Sequence, residues 1–300
     1  MPATASFTPT AEFVTGSVLT LADGDPGDAV SLNAAPKSAL NQAAYLRDAT
    51  DGLLVWRGNA RVDSGGASSG NTAVYCPPIE AVSLLDGSTW RALSLASETQ
   101  LTTASHFGGE TLAATTWYYV YAYVSGGNLA LQISADAPGA DGIWKTGAVS
   151  THRFLFCFRT NGSGVAIPMC RTSGGRYHWR FSALSSAHLI NAYMAVQAFT
   201  DLSLAACVPP HARIARLRAT ILNTDTTASH SIALRVRTNG DTIAYDELYV
   251  PPAATAGVEN AGRGTSDLSV ETDSSQVIEV EIAGTSTAFS ANVYARGFEE

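Results

Sequence analysis

Charge is scarce in this chain. Asp, Glu, Lys and Arg make up 15% of its 300 residues, against roughly a quarter in an ordinary soluble domain. The balance is acidic, with a formal net charge of −8. Binding to phosphate backbones needs a basic footprint, so nucleic acid is excluded as an expected partner. Basic residues gather only at Arg213, Arg216 and Arg218. They alternate with apolar neighbours, which predicts the outer face of a strand. Cysteine is scarce too. Cys76, Cys157, Cys170 and Cys207 show no Cys-x-x-Cys spacing, so buried free thiols and synthesis in a reducing compartment are expected. No apolar run approaches the ~18 residues of a membrane span, and no membrane insertion is expected. A basic stretch leading into an apolar run is missing near the start, so a classical export signal is not expected either.

Catalytic patterns are also missing. No Gly-x-Ser-x-Gly elbow precedes a helix, and Gly262-Arg-Gly264 is too short for a phosphate loop. Asp23-Gly-Asp-Pro-Gly-Asp28 lacks the closing glutamate of a calcium loop and reads as a turn. His106, His152, His178, His188, His211 and His230 are never four residues apart; surface or hydrogen-bonded histidines are expected, not ligands. Carboxylates for glycoside cleavage pair in space. The candidates Asp136, Asp141, Asp246 and Glu247 read more simply as turns and a strand end. Neither an enzyme nor a bound cofactor or metal is expected.

What is present is β pattern. Apolar residues make up 46%, enough for a real core. Trp117-Tyr-Tyr-Val-Tyr-Ala-Tyr-Val124 alternates its side chains between two faces. A hairpin turning at Gly126-Gly127 sets Val124 against Leu129, Ala122 against Leu131 and Val120 against Ile133. The same register sets Tyr123 opposite Ala130, Tyr121 opposite Gln132 and Tyr119 opposite Ser134. The smaller residues then line a core, and Trp117, Tyr119, Tyr121 and Tyr123 form an aromatic row on the other side. Such a row needs a second layer, a partner chain or a sugar, and it is the candidate contact or glycan face.

One helix is predicted, over Asn33–Asp51, with Asn33 as cap and Pro36 in its first turn. Its narrow stripe, Ala39, Leu40, Ala43 and Leu46, is the candidate oligomer helix. Ala81–Leu85 and Thr89–Leu95 flank Asp86-Gly87 as a hairpin. Arg153–Thr160 and Val165–Cys170 form another, setting Phe158 against Ile167 and Phe156 against Met169. Arg176–Phe181 adds a strand. Further strands are expected over Tyr193–Leu202, Ala212–Leu222, Ser231–Thr238, Asp241–Leu248, Gln276–Ala283 and Phe289–Arg296. Asn239-Gly240 reads as a tight turn with Val236 facing Ile243 and Leu234 facing Tyr245. Ile278, Val280 and Ile282 alternate with Glu279 and Glu281, one face buried and one solvated. The fold class is all-β with one short N-terminal helix: an N-terminal arm over residues 1–54, a central antiparallel β domain over 55–181, and a jelly-roll-like β-sandwich over 182–300.

Several stretches resemble a known group. Leu32-Asn-Ala-Ala-Pro-Lys-Ser-Ala-Leu-Asn-Gln-Ala-Ala-Tyr-Leu-Arg-Asp48 resembles the N-terminal region of tailed-bacteriophage fibre and baseplate-associated proteins. Thr116–Tyr123, Val149-Ser-Thr-His-Arg-Phe-Leu155 and the turn Arg159-Thr-Asn-Gly-Ser-Gly164 together are similar to a strand–hairpin–strand module of phage tail proteins, and Val293-Tyr-Ala-Arg-Gly-Phe298 to the last strand of such a protein. The resemblance covers about a third of the chain. It implies a non-enzymatic virion structural protein, commonly a homotrimer, made in the host cytoplasm and carried on the particle. Its partners would be other tail or baseplate proteins and a host-surface glycan or protein. A head fibre, a capsid decoration protein and a lectin-like carbohydrate-binding module are the alternatives.

Overall fold

The computed structural model describes residues 60–63, 71–87, 89–139, 142–147, 151–172, 174–180, 189–227, 229–243, 245–252 and 262–300. The predicted helix over Asn33–Asp51, with Ala39, Leu40, Ala43 and Leu46, lies outside these residues, as does Asp141.

The described chain is antiparallel β structure with one helical turn. The first strands are β1 (Arg61–Val62), β2 (Asn71–Cys76), β3 (Ile79–Asp86), β4 (Thr89–Leu95) and β5 (Thr99–Thr102), followed by the single turn α1 (Thr103–His106). Next come β6 (Trp117–Ser125), β7 (Asn128–Ser134), β8 (His152–Arg159), β9 (Met169–Thr172) and β10 (Arg176–Trp179). The rest are β11 (Leu189–Tyr193), β12 (Gln197–Ser203), β13 (Ile214–Asn223), β14 (Ile232–Thr238), β15 (Asp246–Val250), β16 (Arg263–Glu271), β17 (Val277–Gly284) and β18 (Phe289–Glu299).

A long sheet runs β16-β13-β18-β10-β9-β1-β2-β5, with β11 also on β18. Strand β18 joins its two ends: its first half pairs with β11 and its last residues pair with β10. The sheet therefore carries strands from both sides of residue 182. Its inner face is apolar, and two smaller sheets lie over it. One is β7-β6-β8, the other β12-β17-β14-β15. The hairpin β3-β4 packs against β6 and β7. Phe298 anchors the first contact. It is fully buried, stacked on Tyr177 at 4.3 Å and edge-on to Trp117 at 5.7 Å. At the other end Ala219, Ile221, Ala291 and Val293 of the long sheet are buried with Leu234, Val236, Val280 and Ile282 of the facing sheet.

The β6–β7 register has Val124 on Leu129, Ala122 on Leu131, Val120 on Ile133 and Tyr121 on Gln132, as the pattern predicts. Gly126 and Gly127 both take positive φ, 57° and 79°, the geometry a two-residue hairpin turn demands. Ile278, Val280 and Ile282 are buried as expected. Glu281 pairs with Arg235, and Glu279 with Arg237. Arg216 and Arg218 lie on the outer face of β13, paired with Glu299 and Asp267.

Three expectations are corrected. The β8–β9 hairpin holds only at its mouth, where Thr160 bridges Ala166. Beyond it the strands part: Phe156 pairs with Val120, whereas Met169 pairs with Val62 and Trp179. Second, Val236 pairs with Asp246 and Leu234 with Leu248, a shift of three residues from the expected register. Asn239-Gly240 opens a wider loop, in which Asp241 N–H donates to Thr238 O and Asp241 Oδ1 accepts from Ile243 N–H. Third, the single strand expected over Tyr193–Leu202 is two, β11 and β12, in different sheets.

One end of the sandwich is tied by a polar knot. Asn223 is fully buried; its Nδ2 donates to His230 O and Pro251 O, and its Oδ1 accepts from Asp225 N–H and Ser286 Oγ. Asp225 accepts from Thr227 N–H, the His230 ring and Thr287 N–H. These bonds, the one from His230 foremost, hold the Asp225 carboxyl below the usual carboxylate range. A depressed folded pKa stabilises the protein at pH above the unfolded value of about 4, and that contribution is lost as pH falls through the folded pKa. Asp225→Asn turns one acceptor oxygen into a donor facing Thr287 N–H. The variant is expected to melt below the wild type at neutral pH, with the gap closing as pH falls from about 4 to about 2. Thermal melts across that range test this, and a gap constant with pH would count against the role given to the carboxylate.

Candidate functional site

The aromatic row is filled from within the chain. Tyr119 and Tyr121 are buried, at 2% and 0% exposure, because the long sheet and the 204–213 segment supply the second layer that the row needs. Trp117 lies against Trp179 at 5.9 Å, and its Nε1 donates to Ala205 O. Tyr119 meets the His211 ring edge-on at 5.4 Å, and Tyr121 OH donates to Asp136 O. Burial raises both phenol pKa values well above normal. Tyr123, half-buried, stacks on His152 at 5.0 Å. Within one chain, Tyr119 and Tyr121 of the predicted contact face are core residues.

Among the described residues, the candidate carboxylates Asp136, Asp246 and Glu247 each have separate surroundings. Asp136 accepts from Ser134 Oγ and pairs with Lys145, and these contacts lower its pKa. Glu247 pairs with Arg235, and Asp246 is exposed on β15. The four cysteines are free thiols. Burial pushes Cys76 and Cys207 up to about 12.

A different group assembles where β8, β9, β10, β18 and the segment before β13 meet. Arg171 on β9 donates from Nη2 to Glu300 Oε2 at 3.1 Å. Tyr177 OH on β10 donates to Glu300 Oε1 at 2.5 Å, and the same phenol oxygen accepts from Cys157 N–H. His211 Nε2 lies 3.2 Å from Glu300 Oε1. Strand alternation puts Cys157 on the Tyr119 face, aimed at the long sheet, and the β10–β18 register brings Tyr177 and Glu300 side by side. The Cys157 thiol, His211 ring and Glu300 carboxylate place ligand-type atoms within 4.8 Å of one another.

Burial governs the electrostatics here. It pushes the Cys157 thiol and the Tyr177 phenol well above their ordinary pKa values, and Glu300 adds to both. Burial opposes the Arg171 charge, but Tyr177 and Glu300 outweigh it and leave its pKa raised. Arg153, buried on the other face of β8, is held down to about 10 by burial. A cleft of about 1020 Å³ reaches this group, with Arg171, His211 and Glu300 in its wall. The chemistry on offer is a soft thiol, an imidazole and a carboxylate held in place by an arginine and a tyrosine.

Of these residues the sequence pattern named Cys157, as a buried free thiol, and His211, as a surface or hydrogen-bonded histidine, without linking the two. Arg171 and Glu300 are 129 residues apart, so no local spacing announces the group.

The chain matches no described protein family and no curated protein. Among solved structures it is similar to the PRD1 vertex protein P5, at 11% identity and a TM-score of 0.23, covering 62% of this chain and 99% of that one. It is also similar to a Bacillus thuringiensis Cry1Da tryptic core variant, at 8% identity and a TM-score of 0.21, covering 81% of this chain and 51% of that one. Scores this low carry no argument about fold or role.

Proposed function

We propose that this chain is a non-enzymatic structural component of a virion, a phage tail fibre or tail-tip component that works by contact: with copies of itself, with its particle neighbours and with the host surface. The observation that carries the contact reading is the outer face of the β12-β17-β14-β15 sheet. Tyr245 and Tyr249 stand exposed there, with Ile243 88% exposed in the adjoining loop and Met194 and Val196 exposed just before β12. The charges between them are already paired, Arg235 with Glu247 and Glu281, and Arg237 with Glu279. Arg237 also lies over the Phe199 ring and Arg235 over Tyr245. Apolar tips around this ladder suit contact with a partner, because both arginines already carry their own carboxylate partners and no cation is stranded. The virion reading is supported by the resemblance of Thr116–Tyr123, Val149–Leu155 and the Arg159–Gly164 turn to a tail-protein module. Trp117–Tyr123 of the first stretch pairs with β8, which holds the end of the second.

A stable homotrimer is the expected state. Sedimentation at micromolar concentration is expected to give three times the chain mass of 31.3 kDa. The double change Tyr245→Lys and Tyr249→Lys is expected to weaken the assembly while leaving the far-UV spectrum unchanged. A monomeric wild type would sink the proposal. Antibody labelling of intact particles then separates a tail position from a head position.

A further inference from the structure

We propose that Cys157, His211 and Glu300 form a binding site for a single zinc-class divalent ion. The donor set is one thiolate, one imidazole and one carboxylate, the ligand types that Zn²⁺ takes. Their ligand atoms already lie within 4.8 Å of one another, so little movement gathers them around one ion.

Three further observations point the same way. The His211 side chain is only 6% exposed, and its Nε2 is the nitrogen that faces the group, 3.2 Å from Glu300 Oε1. The ring is also fixed in place, edge-on to both Tyr119 at 5.4 Å and Phe154 at 5.0 Å. The carboxylate is oriented from outside by Arg171 and Tyr177, the kind of outer support that metal-bound carboxylates receive. Finally, His211 and Glu300 form part of the cleft wall, which gives the ion an entry path and a water for a fourth position.

The charge and proton balance closes. As the ion binds, Cys157 forms an S–metal bond and its thiol proton leaves to solvent. Glu300 and the neutral His211 ring contribute lone pairs without losing protons to the metal. Nothing is oxidised or reduced. One proton is released per ion, so affinity rises with pH.

Titration of the purified full chain with Zn²⁺ against a chromophoric chelator is expected to give about one ion per chain. Co²⁺ in its place is expected to show near-ultraviolet thiolate-to-metal absorption. Cys157→Ser and His211→Gln are expected to lose the stoichiometric binding, and Tyr177→Phe to weaken it roughly tenfold. Absence of stoichiometric binding in the wild type, or binding that survives in Cys157→Ser, overturns the site. Should a variant fail to fold, the Co²⁺ spectrum of the wild type decides, because absorption without a thiolate band excludes Cys157 as a ligand.

Discussion

Gly297→Val is expected to prevent folding, or to destabilise the protein by more than about 4 kcal/mol. Gly297 lies in β18 opposite His178 of β10 and Arg216 of β13. The β13 register slips between Arg216 and Leu217, so Arg296 is an extra residue there, and β18 is pressed towards β10. A Cβ at 297 would overlap the Tyr177 carbonyl oxygen and crowd His178 Cα. Those atoms are backbone, held by the sheet on both sides, and they cannot rotate away as a flexible side chain would. Relief would require β10 to leave β18, and the Tyr177–Phe298 stack would go with it. Gly162→Ala is the matched control, since Gly162 has open space around its Cβ position and should change stability by less than about 0.5 kcal/mol. Soluble yield and urea unfolding of the two variants measure the contrast. A Gly297→Val protein that melts like wild type would refute this account of the bulge.

The second large effect comes from the buried ion pair. Arg171 is 1% exposed and Glu300 15% exposed at the side chain. Glu300→Ala is expected to cost about 3–5 kcal/mol, the range for removing one partner of a buried pair. Arg171→Met is expected to cost less. The asymmetry follows from chemistry. A guanidinium keeps its charge under all ordinary conditions, so without Glu300 a charge remains buried beside the Tyr177 ring, 5.8 Å away. A carboxylate left without Arg171 retains Tyr177 OH and His211 as partners, has some contact with water, and can take up a proton. Chemical unfolding of the two variants in metal-free buffer gives the order. A larger loss in Arg171→Met would mean that the guanidinium contributes mainly by packing.

Parts of this fold were legible because local chemistry settles them. Gly126-Gly127 admits a two-residue turn, and that turn fixes the β6–β7 register residue by residue. Asn239-Gly240 carries a similar signal, but Thr238 and Asp241 bond within a longer loop, and the register moves by three. Strand β16 was missed because Arg263-Gly-Thr-Ser-Asp267 reads as a loop. Gly264 is there for a tertiary reason: a side chain at that position would collide with Val250 and Leu248. The aromatic row was legible as a surface needing cover, but which atoms cover it depends on strands more than fifty residues away. The Arg171–Tyr177–His211–Glu300 group is the extreme case: Arg171 and Tyr177 face each other across the local β9–β10 hairpin, but neither carries a local signal for His211 or Glu300.

The position of β18 also governs how the chain must be built. Tyr177 and Glu300 meet across 123 residues, so a large loop has to close before the contact gains anything. During synthesis the β7-β6-β8 sheet can form early, because its strands are close in the chain. Its Trp117–Tyr119 side has no cover from Phe298 until β18 has been made. For that interval the nascent chain presents an aromatic, sheet-forming surface to its neighbours, the condition under which chains associate wrongly. A chain that ends before residue 289 lacks Phe298, the ring that packs edge-on against Trp117.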